Sequence, residues 1–296
     1  SKIENKLPQN LAEFLDRDLN YLFSVQQNNW KTEHQENKQT YQDYINSKPT
    51  SSTKKRNKIY LQTFGEFTKK EQQLIEITAE YLSTLYDLEV LILASQSLDS
   101  IPKHAQRINQ YTNENQILST YLLNTILLPQ LPDRAAAYIG FTSNDLYPAQ
   151  SWNYVFGQAN LKKRTGIWSI YRFGNPDLSE EAFKLALLRT LKTASHEIGH
   201  VFSLRHCLDY ECAMASSNHL KDLDKHPVHF CPICTAKICT NLKIDLVEHY
   251  KALKLFWQKN GFNEQALFCE DVRGIIHSKE EKYQNLQVGA FKIEKK

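Results

Sequence analysis

Near the middle of the chain, His196-Glu197-Ile198-Gly199-His200 forms an HExxH pattern. Residues four apart stack on one face of a helix, so the imidazoles of His196 and His200 can reach a single ion. Glu197 leaves the helix at another angle and can address a metal-activated water without ligating the metal itself. A catalytic zinc takes three protein ligands and keeps its fourth position open. Two residues downstream can supply the third ligand, His206 or Glu211. Straight helix would carry His206 about 9 Å beyond His200 along the axis, so the helix must end there and the chain must turn back.

The cysteines form a second constellation. All six lie after residue 206, and five of them fall between Cys207 and Cys239. A disulfide scaffold spreads its cysteines through a small secreted chain, whereas this clustering favours thiolates on a metal. Cys231-Pro232-Ile233-Cys234 has zinc-knuckle spacing, and with Cys207 and Cys212 it supplies the four thiolates of a closed tetrahedral site. Cys239 is a fifth candidate nearby, but the tight chelating turn favours Cys234. Cys269 stands alone and reads as a small buried hydrophobe. Because Cys207 adjoins His206, a metal on the thiolates would pin the segment that delivers the third imidazole. Arg205 and Lys237 are near enough in sequence to offset the charge of four thiolates.

Extended to His196-Glu197-x-x-His200-x-x-Ser203-x-x-His206, the pattern resembles the metzincin consensus HExxHxxGxxH. The single methionine, Met214, follows among the cysteines, and this combination is similar to the archaemetzincin family, whose signature adds four cysteines to the metzincin motif. GFTSNDLYPAQSWNYVFGQA (140–159) and SNHL (217–220) are similar to that family's segments before the active-site helix and after the methionine. The resemblance spans roughly 59–255 and is closer to the longer, eukaryote-like members than to short archaeal ones. It implies a zinc-dependent peptidase with two Zn2+ per chain. His196, His200 and His206 would hold a catalytic zinc, and Glu197 would be general base and proton shuttle. Met214 would form the Met-turn floor, and Cys207, Cys212, Cys231 and Cys234 would hold a structural zinc. The strand Tyr154–Ala159 would be the cleft edge, with Phe156, Gly157, Gln158 and Ala159 against an extended substrate. Pro148 and Trp152 would help to shape the cleft and His219 would line it. One departure stands out: Ser203 occupies the glycine position, where the backbone turns left-handed at a cost of about 1 kcal/mol for a side-chain-bearing residue.

Positioning these residues requires a long helix. From Ser179 to Phe202 there is no proline, and Phe183, Leu187 and Leu191 set an apolar stripe, with Asp177 and Glu180 as the start signal. Upstream, 59–64, 88–95, 137–143, 153–160 and 166–173 read as strands. Between them, Thr68 and Glu71 form a capping box opening a helix to Tyr86, and a further helix is expected near 112–127. An amphipathic helix is expected over 9–24 and a Ser/Thr/Lys-rich linker over 46–58. The expected fold is α/β (α+β): a metzincin-like mixed twisted sheet with a long active-site helix, then a smaller zinc-stapled C-terminal subdomain. The expected division is 1–58 (helix and linker), 59–203 (sheet and active-site helix) and 204–296 (third ligand, Met-turn and structural zinc).

Composition bounds the alternatives. In 296 residues, 41% hydrophobic and 23% charged, the chain can bury a sizeable core, which excludes wholesale disorder. A net charge of +3 is too balanced to announce nucleic acid as the main partner. No run of 18 apolar residues exists to span a membrane. The expected partner is a peptide or protein substrate, the expected state a monomer, and the expected location the reducing cytoplasm. The chain starts with Ser1 rather than Met, so earlier processing is compatible with it. The competing reading is a non-catalytic two-zinc binding or interaction module.

Overall fold

In the computed structural model, which describes residues 7–26 and 36–279, segments between residues 58 and 169 build a five-stranded sheet. Its strands are β1 (Lys58–Phe64), β2 (Glu89–Gln96), β5 (Ala135–Thr142), β7 (Gly157–Ala159) and β8 (Thr165–Ser169), in the order β2-β1-β5-β8-β7. The first four run parallel, and β7 closes the edge antiparallel to β8. A smaller sheet joins β3 (Gln106–Ile108), β4 (Asn115–Leu118) and β6 (Asp145–Tyr147).

Parallel strands covered on both faces are apolar throughout, and β5 is buried along its whole length. From Ala137 onward its side chains alternate between two cores, Ala137, Ile139 and Phe141 facing one and Tyr138 the other; before it, at a register shift against β1, Ala136 faces the first core and Ala135 the second. Three turns of differing pitch, Ser119–Tyr121, Leu122–Leu127 and Leu128–Gln130, form one helical run (α4) that brings Leu122, Leu123 and Leu127 onto the second face. The first face carries α3 (Lys69–Tyr86) and α5 (Glu180–Val201), which pack on each other and on the sheet. Thr68 and Glu71 make the expected reciprocal capping box at the start of α3. At the start of α5 the cap is Ser179, whose hydroxyl accepts the Ala182 amide, and not Asp177, whose carboxylate instead accepts the Thr68 hydroxyl.

After α5 come α6 (Leu220–Lys225), which packs on it, α7 (Pro232–Leu242), α8 (Leu246–Lys259) and α9 (Asn263–His277), with α8 packed on α3 and on α9. The N-terminal helix α1 (Leu7–Leu19) buries Leu11, Leu15 and Leu19 and packs on α7, as does the short α2 (Tyr41–Asn46). No helix among the described residues is long and apolar enough to cross a membrane.

Three expectations need correction. The helix read at 112–127 is preceded by β3 and β4 and starts only at Ser119, because 115–118 pairs with β6. The strand read at 153–160 is regular only at 157–159, since Val155 makes an isolated bridge to Leu146. The strand read at 166–173 stops at Ser169, where its hydroxyl caps the Tyr171 amide and a single helical turn follows.

Candidate active site

The C-terminal turns of α5 bring His196 and His200 together, and the chain then reverses to add His206. The three rings lie with centroids 4.5, 4.8 and 5.2 Å apart. The reversal is a Schellman turn: Ser203 N donates to His200 O, and Leu204 N donates to Gly199 O. Ser203 has φ +71°, the left-handed conformation required at this position. Its hydroxyl does what a glycine could not, donating to Leu161 O at 2.9 Å and accepting the Thr50 amide at 3.0 Å.

Each imidazole is fixed through Nδ1. His196 is tied to Ala213 O at 2.9 Å, His200 to Leu204 O at 2.7 Å, and His206 to the Glu36 carboxylate at 2.8 and 3.0 Å. Carbonyl and carboxylate oxygens only accept, so each Nδ1 carries the proton and each Nε2 presents a lone pair. One ligand atom from each ring lies within 4.8 Å of the others. Burial also depresses the affinity of His196 and His200 for a second proton, His200 to a pKa of about 3. The donor set thus fits a cation such as zinc. His206, not Glu211, completes it. Glu211 is turned away and pairs with His226 and with Lys225.

Glu197 is buried beside this trio, and its Oε2 has no hydrogen-bond partner among the described residues. Burial without a compensating charge raises its pKa to about 8. Gly157 of β7 lies directly over it, where a Cβ would stand 2.6 Å from Oε1. Beneath, Met214 is fully buried, and a Cβ at Gly199 would collide with its sulfur. That close approach is why α5 carries a glycine in its last turn.

A cleft of about 700 Å³ opens at the trio. Phe156, Gly157, Gln158 and Ala159 form one wall, and Trp152 and His219 lie at the rim; Pro148 does not line it. Phe156 O and Asn160 N are bonded to β8, so alternation turns the amides and carbonyls of Gly157 and Ala159 toward the open edge. Tyr154 spans the cleft end, its hydroxyl donating to Asn218 O at 3.0 Å beneath the Arg172 guanidinium. Lys192, one turn before His196, also lines the cavity and donates to Leu223 O and Asp224 O, with burial lowering its pKa to about 8.

Cys207, Cys212, Cys231 and Cys234 meet behind the Met-turn, all buried and unlinked by disulfides. Cys239 lies outside the group and Cys269 is buried elsewhere, both with burial raising the thiol pKa. Sulfur neighbours hold the Cys207 pKa down while burial pushes those of Cys212 and Cys231 up, so four thiolates together need a cation. Cys231 caps α7 with Pro232 at its first position, which aims the positive end of that helix at the sulfurs. Arg205 is exposed, whereas Lys237 is buried and donates to Gln39 O. The two constellations share backbone: Cys207 N donates to Met214 O, and Met214 N to Cys212 Sγ.

Glu36, Gln39 and Lys192 escaped the sequence reading. Glu36 and Gln39 lie in a polar segment without periodicity, whereas the four-residue offset of Lys192 from His196 was a usable signal.

The family model described as Peptidase family M54 matches residues 134–240. The chain is 33% identical over 256 residues to human Archaemetzincin-2, covering 76% of this chain and 70% of that one. It is 32% identical over 181 residues to the Archaemetzincin of Archaeoglobus fulgidus, covering 61% of this chain and 98% of that one. The crystal structure of Archaemetzincin from Methanopyrus kandleri superposes with a TM-score of 0.52 at 31% identity, over 64% of this chain and 98% of that chain.

Proposed function

This chain belongs to the archaemetzincin family of metallopeptidases, and on that premise we propose that it cleaves peptide bonds with Glu197 as general base and two zinc ions per chain. His196, His200 and His206 would hold the catalytic ion, and Cys207, Cys212, Cys231 and Cys234 the structural one. Bound to the imidazoles, zinc supplies Lewis acidity, polarising a carbonyl and making water nucleophilic near neutral pH. The rest of the chemistry belongs to the chain's own residues.

An extended substrate pairs with the open edge of β7, where Gly157 and Ala159 offer backbone groups. Glu197 accepts the proton of the attacking water and returns it to the leaving amine. Burial that favours the protonated acid, set against a neighbouring cation that favours the carboxylate, brings it toward the neutral range that both transfers need. Met214 supports the floor under the imidazoles. Ser203, hydrogen-bonded on both sides, keeps the turn that presents His206.

The observation that carries this reading is the arrangement of three Nδ1-anchored imidazoles beside a buried carboxylate with an unpartnered oxygen. A peptide-library digest with and without chelator tests it, alongside zinc stoichiometry. Chelator-sensitive cleavage at two zinc ions per chain is expected. Two zinc ions with no cleavage of any peptide would leave a binding module instead. The reducing cytoplasm is proposed as its location, from the cluster of free thiols.

A further inference from the structure

We propose that Glu36 is a positioning residue for the third zinc ligand, holding His206 in the tautomer and orientation that turn Nε2 toward the other two imidazoles. The proposal rests on the zinc-peptidase reading. It starts from an asymmetry. His196 and His200 are oriented by backbone carbonyls close by in the fold of the motif, from Ala213 and Leu204. His206 alone is oriented by a side chain, and that side chain lies 170 residues upstream. Both oxygens of Glu36 reach Nδ1, at 2.8 and 3.0 Å. A carboxylate on the distal nitrogen fixes the ring and raises the basicity of the ligating nitrogen, which a neutral carbonyl does less strongly.

The segment behind Glu36 is anchored, which separates this contact from a chance surface pair. Gln39 Nε2 donates to Ser203 O at 3.0 Å, while Gln39 Oε1 accepts the Arg205 amide at 3.1 Å. Lys237 Nζ, from the middle of α7, donates to Gln39 O at 2.6 Å. Thr40 and Asp43 close a capping box on α2, and Tyr44 from that helix donates to Phe202 O at 2.7 Å. Apart from the capping box, which stiffens the segment itself, these contacts land on the turn between α5 and His206 or on the helix capped by Cys231. The segment 36–44 therefore buttresses the turn that presents the third ligand, and Glu36 is its outermost reach.

The test uses the full chain with the histidine site stripped by a mild chelator and the thiolate site left loaded. Zinc is titrated back against a chromophoric competitor, and cobalt is substituted to read the ligand field by visible absorption. Glu36→Ala is expected to weaken histidine-site zinc about 10- to 100-fold and to shift the cobalt bands, leaving the thiolate-site metal in place. Glu36→Gln keeps an acceptor but loses the charge, and about a three- to tenfold weakening is expected. Native affinity and an unchanged cobalt spectrum in Glu36→Ala overturn the proposal. Should that variant not fold, the same result in Glu36→Gln overturns it. A native chain whose histidines bind no zinc at all would strike the zinc-peptidase reading instead.

Discussion

The imidazole and thiol clusters meet at adjacent residues, His206 and Cys207, yet they are built in opposite ways. The three imidazoles are half-buried and face a cleft of about 700 Å³. The four sulfurs are sealed, with Cys212 and Cys231 at 0% exposure and Cys207, the most open, at 7%. Each histidine spends its second nitrogen on an orienting acceptor, leaving one lone pair and a free side to the site. The thiols have no such handle and close around one another. Openness on one side of the shared peptide and closure on the other suits the proposed division between a centre that would admit a substrate and one that would hold a fold.

The largest expected effect separates chemistry from metal binding. Glu197→Gln is expected to lower turnover by on the order of 10²- to 10⁴-fold while both zinc ions remain, measured by peptide cleavage and metal analysis. Unchanged turnover would remove Glu197 from the reaction. Next comes Cys231→Ser, which should lower thermal stability and reduce zinc at the histidines too, because Cys207 and Cys212 brace the Met-turn. Full histidine-site occupancy in that variant would show that the two centres are independent.

A pH experiment sharpens the contrast further. The folded-state pKa of Glu197 is raised from 4.5 to about 8, so its contribution to stability is complete below pH 4.5 and disappears as pH climbs toward 8. With the histidine site stripped, Glu197→Gln should therefore gain in melting temperature over the native chain between pH 5 and pH 8. Zinc at the histidines should shrink that gain, and a pH-independent difference would contradict the assignment. The smallest effect is expected at Ser203. Glycine relieves about 1 kcal/mol of left-handed strain but loses two hydrogen bonds of roughly 0.5–1.5 kcal/mol each, so Ser203→Gly should fall between neutral and about 2 kcal/mol destabilising. Alanine keeps the strain and loses the bonds, so chemical denaturation should rank Ser203→Ala below Ser203→Gly.

How much of this was legible in the sequence depends on the range of the physics involved. The four-residue spacing of His196 and His200 is local helix geometry, and the turn at Ser203 follows from needing a third ligand at all. β1 and β5 announce themselves because a doubly covered parallel strand must be apolar along its length, and β2, although an edge strand, through its β-branched apolar run bounded by a turn. The strands at 106–108 and 115–118 do not, since three or four residues pairing in a satellite sheet leave little periodic signature. Choosing His206 over Glu211 needed coordinates: both types can ligate, and only packing against His226 and Lys225 takes the acid out of reach. Glu36 was invisible for the same reason, its partner being distant in sequence and its surroundings featureless.

One contact described above works as a ruler. With Gly157 touching Glu197 and nothing between them, the edge strand and the buried carboxylate share one fixed origin. A guest chain zipped onto that edge can slip only in steps, because a one-residue slip swaps its faces and a two-residue slip carries it about 6.6 Å along the strand. Neither step leaves the same linkage opposite the acid. In the proposed strand-pairing mode, the place of the cut along a guest polypeptide would be counted off from a single missing methyl group.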